Sequence, residues 1–254
     1  LLSFTVAGHV YGNPWGRNQG LYKPFQKYID ICDVGDFVIL TGDVFREVNK
    51  NSVENIFYEF NQKNIQFYLT PGNHELTGLG MDYIKDHLNY KKNYYSWDFK
   101  GFHFISIDSN QIKSDAQFDF LKKDLEDLEE VDGIFVFMHN IYWYEEFKVT
   151  PNNKPSQEDV TFFYESIIPL FKKINKTVVI FGGDVGADSR IKELKGFYEG
   201  NLGNIIFIAS GMGSGKGVDN VVKVNIKTKN KKNDVLIKQF MLSDIFSYDE
   251  RLAE

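Results

Sequence analysis

Residues able to bind a metal ion occur at four places in the sequence, each directly after a short apolar run. These places are Gly8-His9, Gly42-Asp43, Gly72-Asn73-His74-Glu75 and Met138-His139-Asn140. Imidazole, carboxylate and amide groups are ligands of divalent cations in proteins. Brought together, these side chains would hold such a cation.

Each of these residues also has an ordinary structural role. Asp43 is suited to capping a helix and Asn73 to a turn, and a single histidine such as His9 or His139 is more often a buried side chain than a ligand. The four segments carry weight together, because ligands gather outside the carboxyl ends of strands in open α/β sheets. We therefore expect them to converge, although they lie far apart in the chain.

The composition restricts the kind of site. Cys32 is the only cysteine, so it can form neither an intramolecular disulfide nor a cysteine-rich zinc site. Any metal must be held by His, Asp, Asn or Glu. The formal net charge of -6 argues against nucleic acid as a partner, because an acidic surface gains no counterion release from it.

The elements that would position these residues are short apolar runs, each followed by a helix-like stretch. The sequence predicts strands over Leu2–Ala7, Asp36–Leu40, Gln66–Leu69, Gly133–Met138, Thr177–Phe181 and Asn204–Ala209. Because these runs are almost continuously hydrophobic, we expect strands that are buried on both faces. Helices are predicted over Tyr22–Cys32, Val53–Lys63, Asp115–Glu129 and Gln157–Ile174.

Two further stretches have the pattern of β-hairpins. One turns at Lys100-Gly101 and the other within Lys227–Asn233, where polar residues and glycine favour turns. Antiparallel strands at the edges of mainly parallel sheets give an α/β fold. We predict a four-layer α/β/β/α sandwich of two mixed sheets flanked by helices, with residues 1–254 forming a single domain.

The ordered segments LTGDV, TPGNHE, FMHN and FGGDVG resemble the calcineurin-like metallophosphoesterases. The resemblance extends from about Phe4 to Gly213, and the family pattern is D-x-H, G-D, G-N-H-D/E, H and G-H-x-H, each on a loop after a strand. It implies a hydrolase, a metal-dependent phosphatase or phosphodiesterase that cleaves a phosphomonoester or phosphodiester with a metal-activated water. It also implies one or two divalent ions, which would be Mn, Fe, Zn or Mg.

The resemblance assigns roles to individual residues of this chain. Asp43 would be the carboxylate shared by two metals and would be essential for catalysis. Asn73 and His139 would bind the second metal. His74 would contact the phosphate and protonate the leaving oxygen as the catalytic acid, and Glu75 would orient His74.

This chain departs from the family pattern at the first and last motifs. Ala7 stands where the family has an aspartate, and Gly186 stands where it has the final histidine. Both changes affect the first metal, which keeps His9 and Asp43. Asp184 replaces a histidine in the second site, and a carboxylate there favours harder ions.

These departures lead to an expectation about metal content. We expect about one tightly held ion per chain, unless Asp188, Asn13 or water completes the first site. The double substitution Ala7→Asp with Gly186→His should then raise the metal content.

The substrate is the least determined part of the function. The loop Tyr11–Arg17 and the segment Tyr142–Tyr144 offer aromatic rings beside the expected site, which suit a sugar, a nucleoside or a lipid-linked group equally well. The expected partner is a small phosphorylated substrate or a phosphorylated glycan or lipid. The same rings are equally suited to packing between loops. Two alternatives stay open: a degenerate member that binds a metal or a phosphorylated ligand without turnover, and a hydrolase of surface polysaccharide metabolism.

Other features carry less functional weight. Gly211–Gly217 resembles a phosphate loop but lacks its first glycine and its final Ser or Thr, and we expect a flexible loop there. We expect structural or surface roles for His87 and His103. No apolar run reaches the roughly 18 residues of a membrane span, and the chain is expected to be soluble, either cytoplasmic or the trimmed domain of an exported or anchored protein.

Overall fold

The computed structural model describes residues 1–126, 128, 130–229 and 232–245. The strands are β1 (Leu2–Ala7), β2 (Phe37–Thr41), β3 (Phe67–Thr70), β4 (Tyr95–Phe99), β5 (Phe102–Ser106), β6 (Ile134–Met138), β7 (Val178–Gly182), β8 (Phe197–Leu202), β9 (Ile205–Ser210), β10 (Asn220–Lys229) and β11 (Lys232–Met241). The helices are α1 (Lys23–Ile31), α2 (Lys50–Gln62), α3 (Gly80–Leu88), α4 (Asp115–Asp124), α5 (Gln157–Phe162) and α6 (Ile168–Lys172).

The strands form two mixed sheets. The first has the order β11-β10-β1-β2-β3, and the second has the order β4-β5-β6-β7-β9-β8. Strands β1, β2 and β3 are parallel, as are β5, β6, β7 and β9. Strands β10 and β11 of the first sheet and β4 and β8 of the second sheet pair antiparallel. This arrangement confirms the predicted sandwich of two mixed sheets flanked by helices.

An aromatic layer joins the two sheets. The Phe4 ring of β1 lies 5.6 Å from that of Phe104 and 5.1 Å from that of Phe135, both in the second sheet. Alternate residues of a strand point to opposite faces. Phe37 and Ile39 of β2 accordingly face this layer, whereas the intervening residues of β2 pack on the helix side of the sheet. Burial on both faces explains the nearly continuous hydrophobic runs.

Most predicted elements occur within one to three residues of their expected bounds. The helix predicted over Asp115–Glu129 ends at Asp124, and residues 127 and 129 of that prediction lie outside the described residues. The second hairpin turns within the predicted segment Lys227–Asn233, because its strands continue to Lys229 and resume at Lys232. Residues 230 and 231 lie outside the described part. Helix α3 and strand β8 were missing from the sequence prediction.

The helix predicted over Gln157–Ile174 is interrupted. A π-helical turn at Phe163–Ile167 separates α5 from α6. Pro169, the second residue of α6, cannot donate a backbone hydrogen bond, which accounts for a break in the regular α-helical pattern here. Among the described residues, no helix is both long and apolar enough to cross a membrane.

Candidate metal centre

The candidate residues follow parallel strands. His9 follows β1, Asp43 follows β2, Asn73 and His74 follow β3, and His139 follows β6. Asp184 follows β7 in the same way. Parallel strands end at one edge of each sheet, and the facing sheets place these edges side by side. The expected convergence is therefore a consequence of topology.

A buried cluster of three side chains lies at this edge. Nε2 of His139 is 3.3 Å from Oδ1 of Asp43 and 3.7 Å from Oδ1 of Asp184. Potential ligand atoms of all three residues lie within 4.8 Å of one another. Asp43 and His139 come from different sheets, so only the packing of the two sheets joins them. These three residues form a candidate metal site.

The His139 imidazole has a defined tautomer. Its Nδ1 lies 3.0 Å from the carbonyl oxygen of Thr41, which can only accept a hydrogen bond, so Nδ1 is the donor. Nε2 is thereby directed at the two carboxylates. Gly42 permits this approach, because a β-carbon at that position would lie 2.5 Å from Nδ1 of His139.

His9 extends the cluster on one side. Its Nε2 is 3.4 Å from Oδ2 of Asp43, and its ring is buried. His9 and Asp43 both adopt left-handed backbone conformations, with φ of 61° and 52°. Such a conformation is costly for residues other than glycine and persists only where the surroundings enforce it.

His74 lies at the outer side of the cluster. Its backbone N–H donates to Oδ1 of Asp43 at 3.1 Å, and its Nε2 is 4.0 Å from Oδ2 of the same residue. Its Nδ1 donates to the carbonyl oxygen of Arg46 at 2.6 Å. The side chain is 28% exposed and lines a cavity of about 390 Å³. His74 is thus the candidate residue that is open to an incoming molecule.

Asn73 directly precedes His74 in the chain. It precedes the short 3-10 helix His74–Leu76, and its side chain does not cap that helix. The side chain is partly buried. Asn73 stays a predicted ligand, one residue before His74, whose backbone N–H donates to Oδ1 of Asp43.

Glu75 has a different role from the expected one. Its Oε2 accepts hydrogen bonds from the backbone N–H groups of Asp43 and Gly72, and its Oε1 accepts from those of Val44 and Phe45. The buried carboxylate therefore shapes the Asp43 loop rather than orienting His74. It holds the amide of Asp43 in the left-handed turn.

Burial and the neighbouring charges shift the pKa of each ionisable group in the cluster. Burial alone lowers the pKa of His139, but the charges of Asp43 and Asp184 outweigh it and raise that pKa to about 10. Burial, with the charge of Asp43, raises the pKa of Asp184 to about 6. Burial opposes ionisation of Asp43, yet His139 and His9 hold its pKa well below its usual range. Burial lowers the pKa of His9 to about 4, which keeps its ring neutral at pH 7.

The residues present fit a bound cation. Three buried atoms of the cluster have no hydrogen-bond partner within the described chain: Oδ2 of Asp43, Nε2 of His139 and Nδ1 of His9. A buried polar atom without a partner costs about 1–3 kcal/mol. A divalent cation would satisfy Oδ2 of Asp43 and Nε2 of His139 together.

The positions that depart from the family pattern offer no replacement ligand. Ala7 packs in the apolar cluster on the helix side of the first sheet. Gly186 has φ of +79°, and a β-carbon there would lie 3.0 Å from the carbonyl oxygen of Gly211. Asp188 and Asn13, which were considered as substitutes, are both engaged elsewhere. Asp188 binds the Arg190 guanidinium through both carboxylate oxygens, and Oδ1 of Asn13 accepts from the N–H of Trp15.

Two of the three aromatic residues after His139 are buried and form no binding surface, whereas Tyr144 is partly buried. Tyr142 and Trp143 are each 1% exposed and belong to the core between the second sheet and its helices. The hydroxyl of Tyr142 donates to the carbonyl oxygen of Ser109. Trp15 of the first loop is exposed, but the Arg190 guanidinium lies over its ring at 4.6 Å.

The loop that resembles a phosphate loop is filled by the chain itself. Oδ1 of Asp219 accepts hydrogen bonds from the backbone N–H groups of Gly213 and Ser214, at 2.8 and 3.2 Å. A phosphate would need these donors. The loop therefore has no free anion cradle at these two amides.

Sequence reasoning missed several residues that support the cluster. The hydroxyl oxygen of Tyr11 lies at hydrogen-bond distance from Nε2 of His74, at 3.3 Å. Asn153 donates its backbone N–H to Oδ2 of Asp184 at 2.9 Å, and Oγ of Ser109 accepts from the N–H of His139 at 3.2 Å. These residues lie on loops without a periodic pattern. The only signal was the position of Tyr11 two residues after His9.

Several solved structures are similar to this chain at low sequence identity. One is a predicted phosphoesterase from Streptococcus pneumoniae TIGR4, at 12% identity and TM-score 0.41, covering 94% of this chain and 97% of that chain. Vacuolar protein sorting 29 from Cryptosporidium parvum has 12% identity and TM-score 0.40, covering 94% and 98%. The phosphopantetheinyl hydrolase from Mycobacterium tuberculosis has 11% identity and TM-score 0.47, covering 83% and 89%.

Sequence comparisons give the family directly. Curated protein sequences give no significant match. The family model of the calcineurin-like phosphoesterases, however, matches residues 9–187. This range is more than half of the chain and includes the whole candidate metal centre. The chain therefore belongs to the calcineurin-like phosphoesterase family.

Proposed function

We propose that this chain is a metal-dependent phosphoesterase that hydrolyses a phosphomonoester or a phosphodiester. The observation that carries the proposal is the buried group of Asp43, His139 and Asp184, with ligand atoms within 4.8 Å of one another. Two of its buried atoms lack a hydrogen-bond partner among the described residues. Buried charges in proteins are paired or coordinate a metal, so a cation accounts for this arrangement.

The proposed ligands divide unequally between two positions. Asp43, Asn73, His139 and Asp184 would hold one ion, and His9 with Asp43 would contribute to a weaker second position. The two carboxylates favour Mn or Mg over softer ions. A divalent ion, when bound, supplies positive charge to a phosphate and lowers the pKa of a water molecule.

His74 is the proposed general acid. Its Nδ1 is committed to the carbonyl oxygen of Arg46, so the proton it gives up must be the one on Nε2. It lines the cavity, where the leaving oxygen of a substrate could reach it. The carbonyl oxygen of Arg46 and the hydroxyl of Tyr11 fix the orientation of the His74 ring. Efficient proton transfer requires a side chain that is positioned in this way.

Metal content measured together with hydrolysis tests this proposal. Protein loaded with Mn or Mg and then dialysed is analysed for bound metal and assayed with p-nitrophenyl phosphate and its bis-ester. We expect about one ion per chain and metal-dependent release of p-nitrophenol. Release that persists unchanged after chelation would overturn the proposal, and two tightly held ions would overturn the unequal division.

A non-catalytic metal-binding protein is the second candidate. It is favoured by Ala7 and Gly186, which leave the first position only His9 and Asp43 as side-chain ligands of the family set. The same measurement separates the two functions, because a non-catalytic member would bind the ion but hydrolyse neither ester. The double substitution Ala7→Asp with Gly186→His is a poor test, since residue 186 has a left-handed backbone that a histidine adopts only under strain.

A further inference from the structure

The cavity beside His74 has a specific chemical lining. It lies between the loop that contains Pro14 and Gln19 and the segment that contains Arg46 and Glu47, and its volume is about 390 Å³. The hydrogen bond from Nδ1 of His74 to the carbonyl oxygen of Arg46 fixes this segment against the imidazole. A molecule in the cavity therefore meets both His74 and the side chains of this segment.

Two side chains of opposite charge in the cavity wall have no partner among the described residues. The Arg46 guanidinium and the Glu47 carboxylate are exposed, and neither forms an ion pair or side-chain hydrogen bond with any described residue. They do not pair with each other although they are adjacent in the chain. Each remains able to bind a charged group of the opposite sign.

Three other polar side chains of the wall are already committed to the chain itself, and the uncharged Gln19 is the remaining exposed amide. Oδ1 of Asn49 accepts from the N–H of Ser52 at 3.0 Å, and Oγ of Ser52 donates to the carbonyl oxygen of Glu47 at 2.9 Å. The hydroxyl of Thr77 donates to the carbonyl oxygen of His74 at 2.7 Å. Recognition in the cavity therefore depends mainly on Arg46 and Glu47.

The cavity wall offers few contacts to a large aromatic or apolar leaving group. Among the described residues, no aromatic side chain except the His74 imidazole lines this cavity, and Pro14 is its one apolar side chain. A nucleobase would lack a large aromatic ring to stack on, and an acyl chain would lack apolar surface to bury. A small polar group fits this lining.

We propose that the site acts on phosphomonoesters whose leaving group is a small zwitterion, with its carboxylate bound by Arg46 and its ammonium bound by Glu47. This inference rests on the proposed phosphoesterase activity. In the reaction, a water oxygen forms a bond to phosphorus as the bond from phosphorus to the leaving oxygen breaks. The leaving oxygen takes a proton from Nε2 of His74, and the proton lost by the water passes to solvent.

The test uses one scaffold with and without its charges. O-Phospho-L-serine carries both charges, whereas its N-acetyl amide derivative carries neither. The ratio of kcat/KM for these two esters is measured for the wild type and for Arg46→Gln and Glu47→Gln, with p-nitrophenyl phosphate as a third substrate. Lys50→Gln and Glu54→Gln are matched controls, because they remove the same charges from α2 outside the cavity lining.

We expect the wild type to prefer the free amino acid ester, and each cavity variant to lower that preference about fivefold, as exposed ion pairs allow. The two control variants should keep the wild-type ratio. Equal rates for the two esters, or a preference unchanged in both cavity variants, would overturn the inference while p-nitrophenyl phosphate hydrolysis still supported the proposed function. Absence of hydrolysis of all three esters would overturn both.

Discussion

The hydroxyl oxygen of Tyr11 lies 3.3 Å from Nε2 of His74. Nδ1 of His74 donates to the carbonyl oxygen of Arg46, so Nε2 accepts from the phenol when the ring is neutral and donates to the phenol oxygen when the ring is protonated, the form that acts as the acid. Tyr11 is itself 1% exposed and lies against His9, with ring centroids 4.4 Å apart. The imidazole is therefore held at both nitrogens.

Replacement of Tyr11 by phenylalanine tests the value of this contact. Tyr11→Phe keeps the packing on His9 but leaves one nitrogen of His74 without its protein partner. We expect kcat for p-nitrophenyl phosphate to fall about 3- to 10-fold with metal content unchanged, since one neutral hydrogen bond contributes about 1 kcal/mol. Steady-state kinetics and metal analysis measure both quantities. An unchanged kcat would show that the phenol has no part in positioning His74.

Two alanine substitutions separate metal binding from proton transfer. Asp43→Ala removes the carboxylate that approaches His9, His74 and His139, so bound metal and activity should both be lost. His74→Ala should retain the metal and lose about 100-fold or more in kcat, the usual contribution of a general acid. Metal analysis and ester hydrolysis are measured on both variants. Equal loss of metal in the two would contradict the role proposed for His74.

Glu75→Gln tests how the Asp43 loop is held. One carboxylate oxygen becomes an NH₂ group that faces two backbone N–H donors, so at least two hydrogen bonds are lost in a buried place. We expect a loss of about 2–4 kcal/mol in the free energy of unfolding and weaker metal binding. Urea unfolding followed by circular dichroism measures the first effect. Glu54→Gln, on the surface of α2, is the control, and a loss as small as in that control would refute the role of Glu75.

His103, which is not part of the candidate metal centre, contributes to the stability of the fold in a pH-dependent way. Its Nδ1 and Nε2 lie 2.7 Å from Asp98 and 2.9 Å from Asp124. Burial alone would lower its pKa, but the hydrogen bonds and charges of Asp124 and Asp98 raise it above 6.5. A raised folded pKa stabilises the fold fully below the unfolded value, and this stabilisation disappears as pH rises through the folded pKa.

The corresponding variant is His103→Gln. We expect it to be less stable than the wild type by about 1–2 kcal/mol at pH 6, and the difference to shrink steadily toward pH 9. Urea unfolding at several pH values measures the difference. His87→Gln is the control, because this exposed histidine has no carboxylate partner among the described residues. A difference independent of pH would contradict the ion-pair role.

Much of the fold was determined by the local sequence. Runs such as Leu2–Ala7 and Val178–Gly182 are apolar at nearly every position because both faces of their strands are buried, and this pattern is readable without a structure. The polar residue after each run marks the carboxyl end of a parallel strand. For this reason Asp43, His139 and Asp184 could be named as a group from the sequence.

Other features were decided by tertiary structure alone. The sequence near Glu75 indicates an acidic residue beside His74, but its four hydrogen bonds go to amides that the fold of the β2 and β3 loops brings around it. Trp143 follows a proposed ligand and yet lies in the core, because the chain turns inward after β6. Contacts between residues that are far apart in the chain, such as that of Tyr11 with His74, produce no periodic pattern in the sequence. They depend on how two sheets and their loops pack, which local propensity does not specify.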